Sequence, residues 1–129
     1  MRVLLDTHAF LWWVSDGGAR LSPRARELIE DGATEAVVSA VSAAEIAMKG
    51  ARGRLELDTP ADRYVPSRIA RHGFGVLALE LRHGLRVGLL PDIHRDPWDR
   101  LLVAQAQIEG LPIVTADPLI GRYDVETIW

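Results

Sequence analysis

The chain has 129 residues, 48% of them hydrophobic, a net charge of −3 and no cysteine. That is the size of one domain with enough apolar residues for a core, so it argues against a disordered chain and excludes a disulfide framework or a thiolate metal site. No apolar run approaches the length that spans a bilayer, and the mild acidity argues against a general nucleic-acid coat protein, though not against a nuclease with an acidic pocket among arginines.

Met1-Arg2-Val3-Leu4-Leu5 runs straight into Asp6. It has neither the length nor the cleavage region of a secretory signal, and with the lack of cysteine this fits a cytoplasmic protein. Arg2 to Leu5 reads as a short buried strand. His8 to Val14 reads as a helix with Thr7 as its cap, broken at Asp16-Gly17-Gly18. Ser22-Pro23 opens a second helix that puts Ala25, Leu28 and Ile29 on one face and ends near Gly32. Ala36 to Ser39 is a second buried strand, after which Ser42 caps a third helix through Ile46 and Met48 towards Gly50.

Gly53 to Asp58 is a connector. Thr59-Pro60 opens a helical segment ending near Gly73, in which Pro66 predicts a kink or two short helices. Val76 to Leu79 reads as a third strand, and Glu80 to about Val87 as a weak helix interrupted by Gly84 and Gly88. Pro91 to Arg95 is a loop. Asp96-Pro97 opens the strongest helix, Trp98 to Glu109, closed by Gly110 and Pro112. Ile113 to Thr115 is a fourth strand, Asp117-Pro118 starts one helical turn, and Val125 to Ile128 is a last strand. Strands and helices alternate throughout. The expected fold is therefore α/β, one domain over residues 1–129, with a parallel sheet of four to five strands and helices on both faces.

Four acids, Asp6, Glu45, Asp99 and Asp117, each sit where a strand ends or a helix begins. In an open parallel sheet those positions line one crevice. Carboxylates gathered there repel one another unless protons or a cation neutralise them. Oxygen-only ligands favour Mg²⁺ or Mn²⁺, and such ions serve phosphodiester chemistry. Each acid also has an ordinary reading. Asp6 and Asp117 can cap the turns that follow them. Ser42-x-x-Glu45 is a capping box, and Asp96 to Asp99 resembles one with Pro97 at the first helical position. Joint placement on one edge of the sheet is what favours a site, with Thr115 as a supporting hydroxyl and Asp96 as a further acid.

Fourteen arginines stand against one lysine, Lys49. Arg95 and Arg100 flank the third acid and read either as phosphate clamps or as partners of nearby carboxylates. His8 points to the pocket or rests beside Trp12, His94 contacts RNA or sits in solvent, and His72 and His83 read as surface residues of helices. Trp12, Trp13 and Trp98 read as core, as a contact between subunits or as base-stacking platforms. A phosphoaspartyl phosphatase or a receiver-type signalling domain would share an acidic Mg²⁺ pocket. The first would want an acid where His8 stands, and both would want a lysine near the phosphate, which Lys49, early in the chain, does not supply.

The segments resemble those of PIN-domain ribonucleases, specifically VapC-type toxins. Leu4-Leu5-Asp6-Thr7-His8-Ala9-Phe10-Leu11-Trp12 resembles their opening, and Ser39-Ala40-Val41-Ser42-Ala43-Ala44-Glu45-Ile46-Ala47 their second acidic segment. His94-Arg95-Asp96-Pro97-Trp98-Asp99-Arg100-Leu101-Leu102-Val103-Ala104-Gln105-Ala106 resembles the third, and Val114-Thr115-Ala116-Asp117 the fourth. The resemblance spans nearly the whole chain, in the family's order. It departs at Trp98, usually Phe, and at Ala116, usually larger. The resemblance implies that Asp6, Glu45, Asp99 and Asp117 are the catalytic acids and hold the metal, with Asp96 an additional acid of this subgroup, as a ligand or behind the ligands. It implies a Mg²⁺- or Mn²⁺-dependent endoribonuclease that cleaves tRNA or ribosomal RNA loops and leaves 5′-phosphate and 3′-hydroxyl ends. It further implies a homodimer, neutralised by a VapB-like antitoxin. The alternative is an inactive PIN-like scaffold that only binds a partner.

Overall fold

A computed structural model describes residues 1–129. Five parallel strands form one sheet in the order β3-β2-β1-β4-β5: β1 (Arg2–Leu5), β2 (Glu35–Ser39), β3 (Gly75–Leu77), β4 (Ile113–Val114) and β5 (Thr127–Ile128). Six α-helices connect them: α1 (Thr7–Asp16), α2 (Pro23–Glu30), α3 (Ala40–Ala51), α4 (Ala61–His72), α5 (Leu81–Arg86) and α6 (Pro97–Glu109). Short 3-10 turns follow at Val87–Leu89 and Ile120–Arg122.

The central strands are buried on both sides because Val3-Leu4-Leu5, Ala36-Val37-Val38 and Ile113-Val114 are apolar at successive positions, not every second one. Alternation then sorts the side chains. Val3, Leu5, Ala36, Val38, Val114 and Ile128 face a core completed by α1, α2 and α4. Leu4, Val37, Leu77 and Ile113 face a second core built with α6, which also takes in Leu90, Ile120 and Tyr123. Phe10, Leu4, Leu5 and Leu102 are wholly buried, and each such side chain contributes about 1.5–3 kcal/mol relative to exposure. The result is a three-layer α/β arrangement, as the alternation of elements leads one to expect.

Local details depart from the sequence reading where tertiary contacts decide. The cap of α1 is Asp6, not Thr7: its Oδ1 accepts the Ala9 N–H at 2.7 Å. The cap of α3 is Ser39, not Ser42, so the expected capping box with Glu45 does not form. Ser42 lies within the helix, fully buried, and its hydroxyl accepts from Thr7 Oγ1 at 2.9 Å. Helix α4 runs through Pro66 as one element. Pro66 is on the solvent side, so the carbonyl it leaves unpaired one turn earlier faces water. Strand β3 begins one residue earlier and ends two residues earlier than expected. Gly75 in it crosses Val37 so closely that a β-carbon would lie 2.9 Å from Val37 Cγ1. His83 is no surface residue. It is fully buried, its Nδ1 accepts the Glu80 N–H at 3.0 Å, and its Nε2 lies 2.9 Å from Glu109 Oε1.

Candidate active site

Strand order reverses direction around β1: the chain builds outward to β2 and β3, then returns to the other side for β4 and β5. A crevice opens at such a switch point, beyond the carboxyl ends of the strands. Asp6 leaves β1 there, and its N–H donates to Val114 O of β4 at 3.1 Å. Asp117 leaves β4 three residues later. Helix α6 directs its N-terminal turn, with Asp96 and Asp99, into the same crevice. Asp6, Asp96, Asp99 and Asp117 line one cleft of about 430 Å³, with His8, Trp12 and His94.

Each acid is held by specific bonds. Asp6 is buried, caps α1 and takes a hydrogen bond from the Thr115 hydroxyl. Thr115 Oγ1 in turn accepts the Asp117 N–H at 3.0 Å, so this threonine fastens two of the acids together. Asp117 Oδ1 accepts the Leu119 N–H at 2.9 Å. Asp96 caps α6 through Oδ1, which accepts the Trp98 N–H at 2.9 Å. Asp6, Asp96 and Asp117 thus each cap with one oxygen while lining the cleft.

Glu45 arrives from α3 behind the cleft, with a side chain only 4% exposed. It lines an adjoining groove that shares His8 and Trp12 with the acid cleft. Lys49, one turn further along the helix, donates to Glu45 Oε2. The other oxygen, Oε1, is buried with no hydrogen-bond partner. A buried carboxylate oxygen left bare costs free energy unless something outside the chain satisfies it.

The acids feel one another. Burial, then Asp96, push Asp99 up to about 7; His94 opposes this, while Asp6 and Glu45 add to it. Burial likewise raises Asp6, against the hydrogen bonds from Thr115 and Ala9 and the nearby His8. Acids perturbed by burial and by one another in a cleft make this a candidate functional site.

His94 is the residue that the sequence reading left undecided. Its Nε2 lies 2.8 Å from Asp117 Oδ2 and 3.1 Å from Asp99 Oδ2, and its side chain is 13% exposed. Ligand atoms of His94, Asp99 and Asp117 all fall within 4.8 Å of one another. The signal was available: His94 stands two residues before Asp96, in the loop that feeds the same edge of the sheet. Lys49 was missed as a partner of Glu45 because the capping box competed for that glutamate.

The two arginines separate. Arg100 does not face the cleft as a clamp. Its guanidinium donates to the carbonyls of Val87, Pro91 and His94 and to the Tyr123 hydroxyl, at 3.1–3.4 Å. It therefore fixes the loop that presents His94, and it pairs with no carboxylate. Arg95 is exposed and makes no side-chain hydrogen bond or ion pair. Trp12 is half-buried, edge-on to Trp129 and under Arg20. Trp13 meets His72, and Trp98 packs on the core shared with α6.

The PIN-domain family model matches residues 3–126. The chain belongs to the PIN-domain family. Among solved structures, the PIN fold of this chain is similar to VapBC2 from Rickettsia felis bound to a DNA fragment from their promoter, with a TM-score of 0.71 and 12% identity over 99% of this chain and 98% of that one. It is also similar to a toxin–antitoxin complex from Klebsiella pneumoniae, with a TM-score of 0.65 and 15% identity over 98% of this chain and 96% of that one. At these identities the likeness is one of fold. No curated protein sequence matches the chain.

Proposed function

We propose that this PIN-domain protein is a divalent-metal-dependent endoribonuclease, and that it acts as the toxin of a toxin–antitoxin pair restrained by a VapB-like antitoxin. The observation that carries the nuclease reading is the convergence of Asp6, Asp99 and Asp117 in one cleft, with Glu45 behind it. The fit to a metal ion rests on two features of this chain: a buried Glu45 oxygen without a partner and an Asp99 carboxyl driven up to about 7 by burial and neighbouring acids. Both are relieved by a cation, and a donor set of carboxylate oxygens suits Mg²⁺ or Mn²⁺. The toxin reading is supported by the likeness to two toxin–antitoxin complexes.

Asp6, Asp99 and Asp117 would hold the ion, with Glu45 completing or orienting the set and Asp96 beside them. Bound there, the ion supplies Lewis-acid stabilisation of the phosphate and a more acidic water. The chain supplies the rest. Thr115 keeps Asp6 and Asp117 in register, and the Asp6 cap on α1 keeps its carboxylate from rotating. His94 holds a hydrogen-bonding nitrogen against Asp99 and Asp117. The N-terminal turn of α6 adds its dipole at the edge where a phosphate would lie. Arg95 is a free cation at that edge and is suited to a backbone phosphate. With water as nucleophile, the products are 5′-phosphate and 3′-hydroxyl ends.

The test is cleavage of a total RNA pool by antitoxin-free protein with Mg²⁺, Mn²⁺ or EDTA, beside Asp6→Asn. Discrete cuts that require metal and vanish in the variant support the reading. Ends carrying 2′,3′-cyclic phosphate would overturn its chemistry. No cleavage by folded protein with either metal would favour a scaffold that only binds a partner.

A further inference from the structure

His8, Leu11, Trp12 and Ser15 recur along one side of α1, at the spacing of residues that share a helix face. His8 and Ser15 are exposed and the other two only half-buried. With Lys49 on α3 and the connector at residues 54–57, this face walls a groove of about 580 Å³. Pockets that take a small organic group run to about 300–1,000 Å³. The groove meets the acid cleft at His8 and Trp12, which line both. A strand of nucleic acid with one phosphate in the cleft therefore has its next unit beside Trp12.

The chemistry of the groove suits that unit. Leu55 and Leu57 line it together with the Trp12 indole, and the Arg20 guanidinium lies over that ring, 5.4 Å from its centre. Indole and guanidinium planes both stack the bases of single-stranded RNA. Arg54 is exposed and makes no side-chain hydrogen bond or ion pair. Lys49 gives one N–H to Glu45 and keeps the others for a ligand. Of the two carboxylates that line the groove, Glu45 is buried and already paired, which leaves only Glu56 exposed. A larger hollow of about 710 Å³ adjoins it along residues 55–57. That one is lined by Glu56, Asp58 and Asp62 with no cation at all, so a polyanion is turned away from it. We infer that the groove holds the nucleotide next to the scissile phosphate, with its base stacked at Trp12 and Arg20 and its own phosphate met by Arg54 and Lys49. Base stacking is thereby selected among the roles open to Trp12 from the sequence. The inference rests on the nuclease reading for the identity of its ligand, RNA.

Binding tests it apart from cleavage. Short labelled oligo(A), oligo(C) and oligo(U) are titrated by fluorescence anisotropy into Asp6→Asn protein with Mg²⁺, and tryptophan emission is recorded alongside. In that background Trp12→Ala is expected to weaken binding roughly 5–100-fold. RNA should quench tryptophan emission, and most of the quench should vanish in Trp12→Phe while binding largely persists. Arg54→Ala should weaken all three oligonucleotides alike and lower the salt slope by about one. Arg24→Ala, the same loss of charge on α2 at a separate hollow, should do neither. Unchanged affinity in Trp12→Ala, a full quench in Trp12→Phe, or equal effects of the two arginine changes would overturn the proposal. Binding of an oligoglutamate as tight as that of RNA would also overturn it and assign the groove to an acidic peptide. Should Trp12→Ala lose its circular dichroism, the Trp12→Phe quench and the arginine pair decide. The two readings fail differently. RNA seated at Trp12 but left uncut by the wild-type chain would sink the nuclease and keep the groove, whereas cutting and binding indifferent to Trp12 and Arg54 would do the reverse.

Discussion

His94 Nε2 sits 2.8 Å from Asp117 Oδ2, while Nδ1 of the same ring accepts the Asp96 N–H at 3.1 Å. Because Nδ1 accepts, the proton resides on Nε2, and the ring donates it to the acids. His94→Ala removes that donor from between two carboxylates. Thermal denaturation in EDTA is expected to show a loss of about 1–3 kcal/mol, largely recovered with excess Mg²⁺. An equal loss with and without the ion would mean that the ring only fills space.

Asp99 makes the metal-free protein sensitive to pH. Its carboxyl, raised from 3.8 to about 7, holds a proton in the folded state that the unfolded chain has already released. Stability in EDTA is therefore highest below about pH 4, declines as pH rises towards 7, and is flat beyond, as far as this group is concerned. A melting temperature that rises over that window would contradict the shift. Mg²⁺ competes with the same proton, so calorimetry should show tighter binding from pH 6 to pH 8 and proton release on binding near neutrality.

Asp99→Asn and Asp6→Asn should separate activity from stability. Cleavage is expected to fall by roughly 100-fold or more, whereas the melting temperature in EDTA rises, since each change removes a desolvated charge from a repelling cluster. Variants that lose activity and stability together would indicate that these acids hold the fold.

Lys49 neutralises Glu45, one of whose oxygens already lacks a partner. Lys49→Met leaves a buried carboxylate unpaired, at a cost of about 3 kcal/mol or more. Adding Glu45→Gln to that variant should restore most of the loss. A double-mutant cycle in which the two effects simply add would show that the pair is not coupled.

Arg100 and Arg95 are neighbours of the same acids with opposite expected behaviour. Arg100→Ala removes the donor to three carbonyls, while the Tyr123 hydroxyl keeps the His94 N–H, so chemical denaturation should show a loss of about 2–4 kcal/mol. Arg95→Ala should leave stability within about 0.5 kcal/mol and weaken RNA binding, most visibly at low salt. Filter binding and denaturation on the two variants check both statements.

The elements legible in the sequence are those whose signals are local and redundant. β1 and β2 are continuous apolar runs, and α6 has Asp96-Pro97 at one end and Gly110 at the other, where φ is +66°. β3 and β5 are short edge strands whose limits are set by their neighbours, so their bounds shifted. The caps of α1 and α3 were misread for one reason. Thr7 and Ser42 both have capping chemistry, but burial turns them towards each other and leaves capping to Asp6 and Ser39. Asp6, Asp99 and Asp117 could be set on one edge because each follows a strand or opens a helix, whereas Glu45 lies in the middle of α3, whose cap is Ser39 and not Ser42. The orphaned oxygen of Glu45 and the place of His94 were not legible, since both depend on which side chains share a few ångströms across segments distant in sequence.

The central pairing of the sheet joins β1, from the start of the chain, to β4, from near its end. Asp6 and Asp117 become neighbours only once that pairing has formed. During synthesis, the first acid leaves the ribosome long before its partner exists, and β1 has only β2 beside it until late. The cleft is therefore completed only late in synthesis, once β4 and Asp117 have followed the rest of the central sheet. A chain cut short before β4 lacks Asp117 and the strand that sets it beside Asp6, so it has no complete acid cleft.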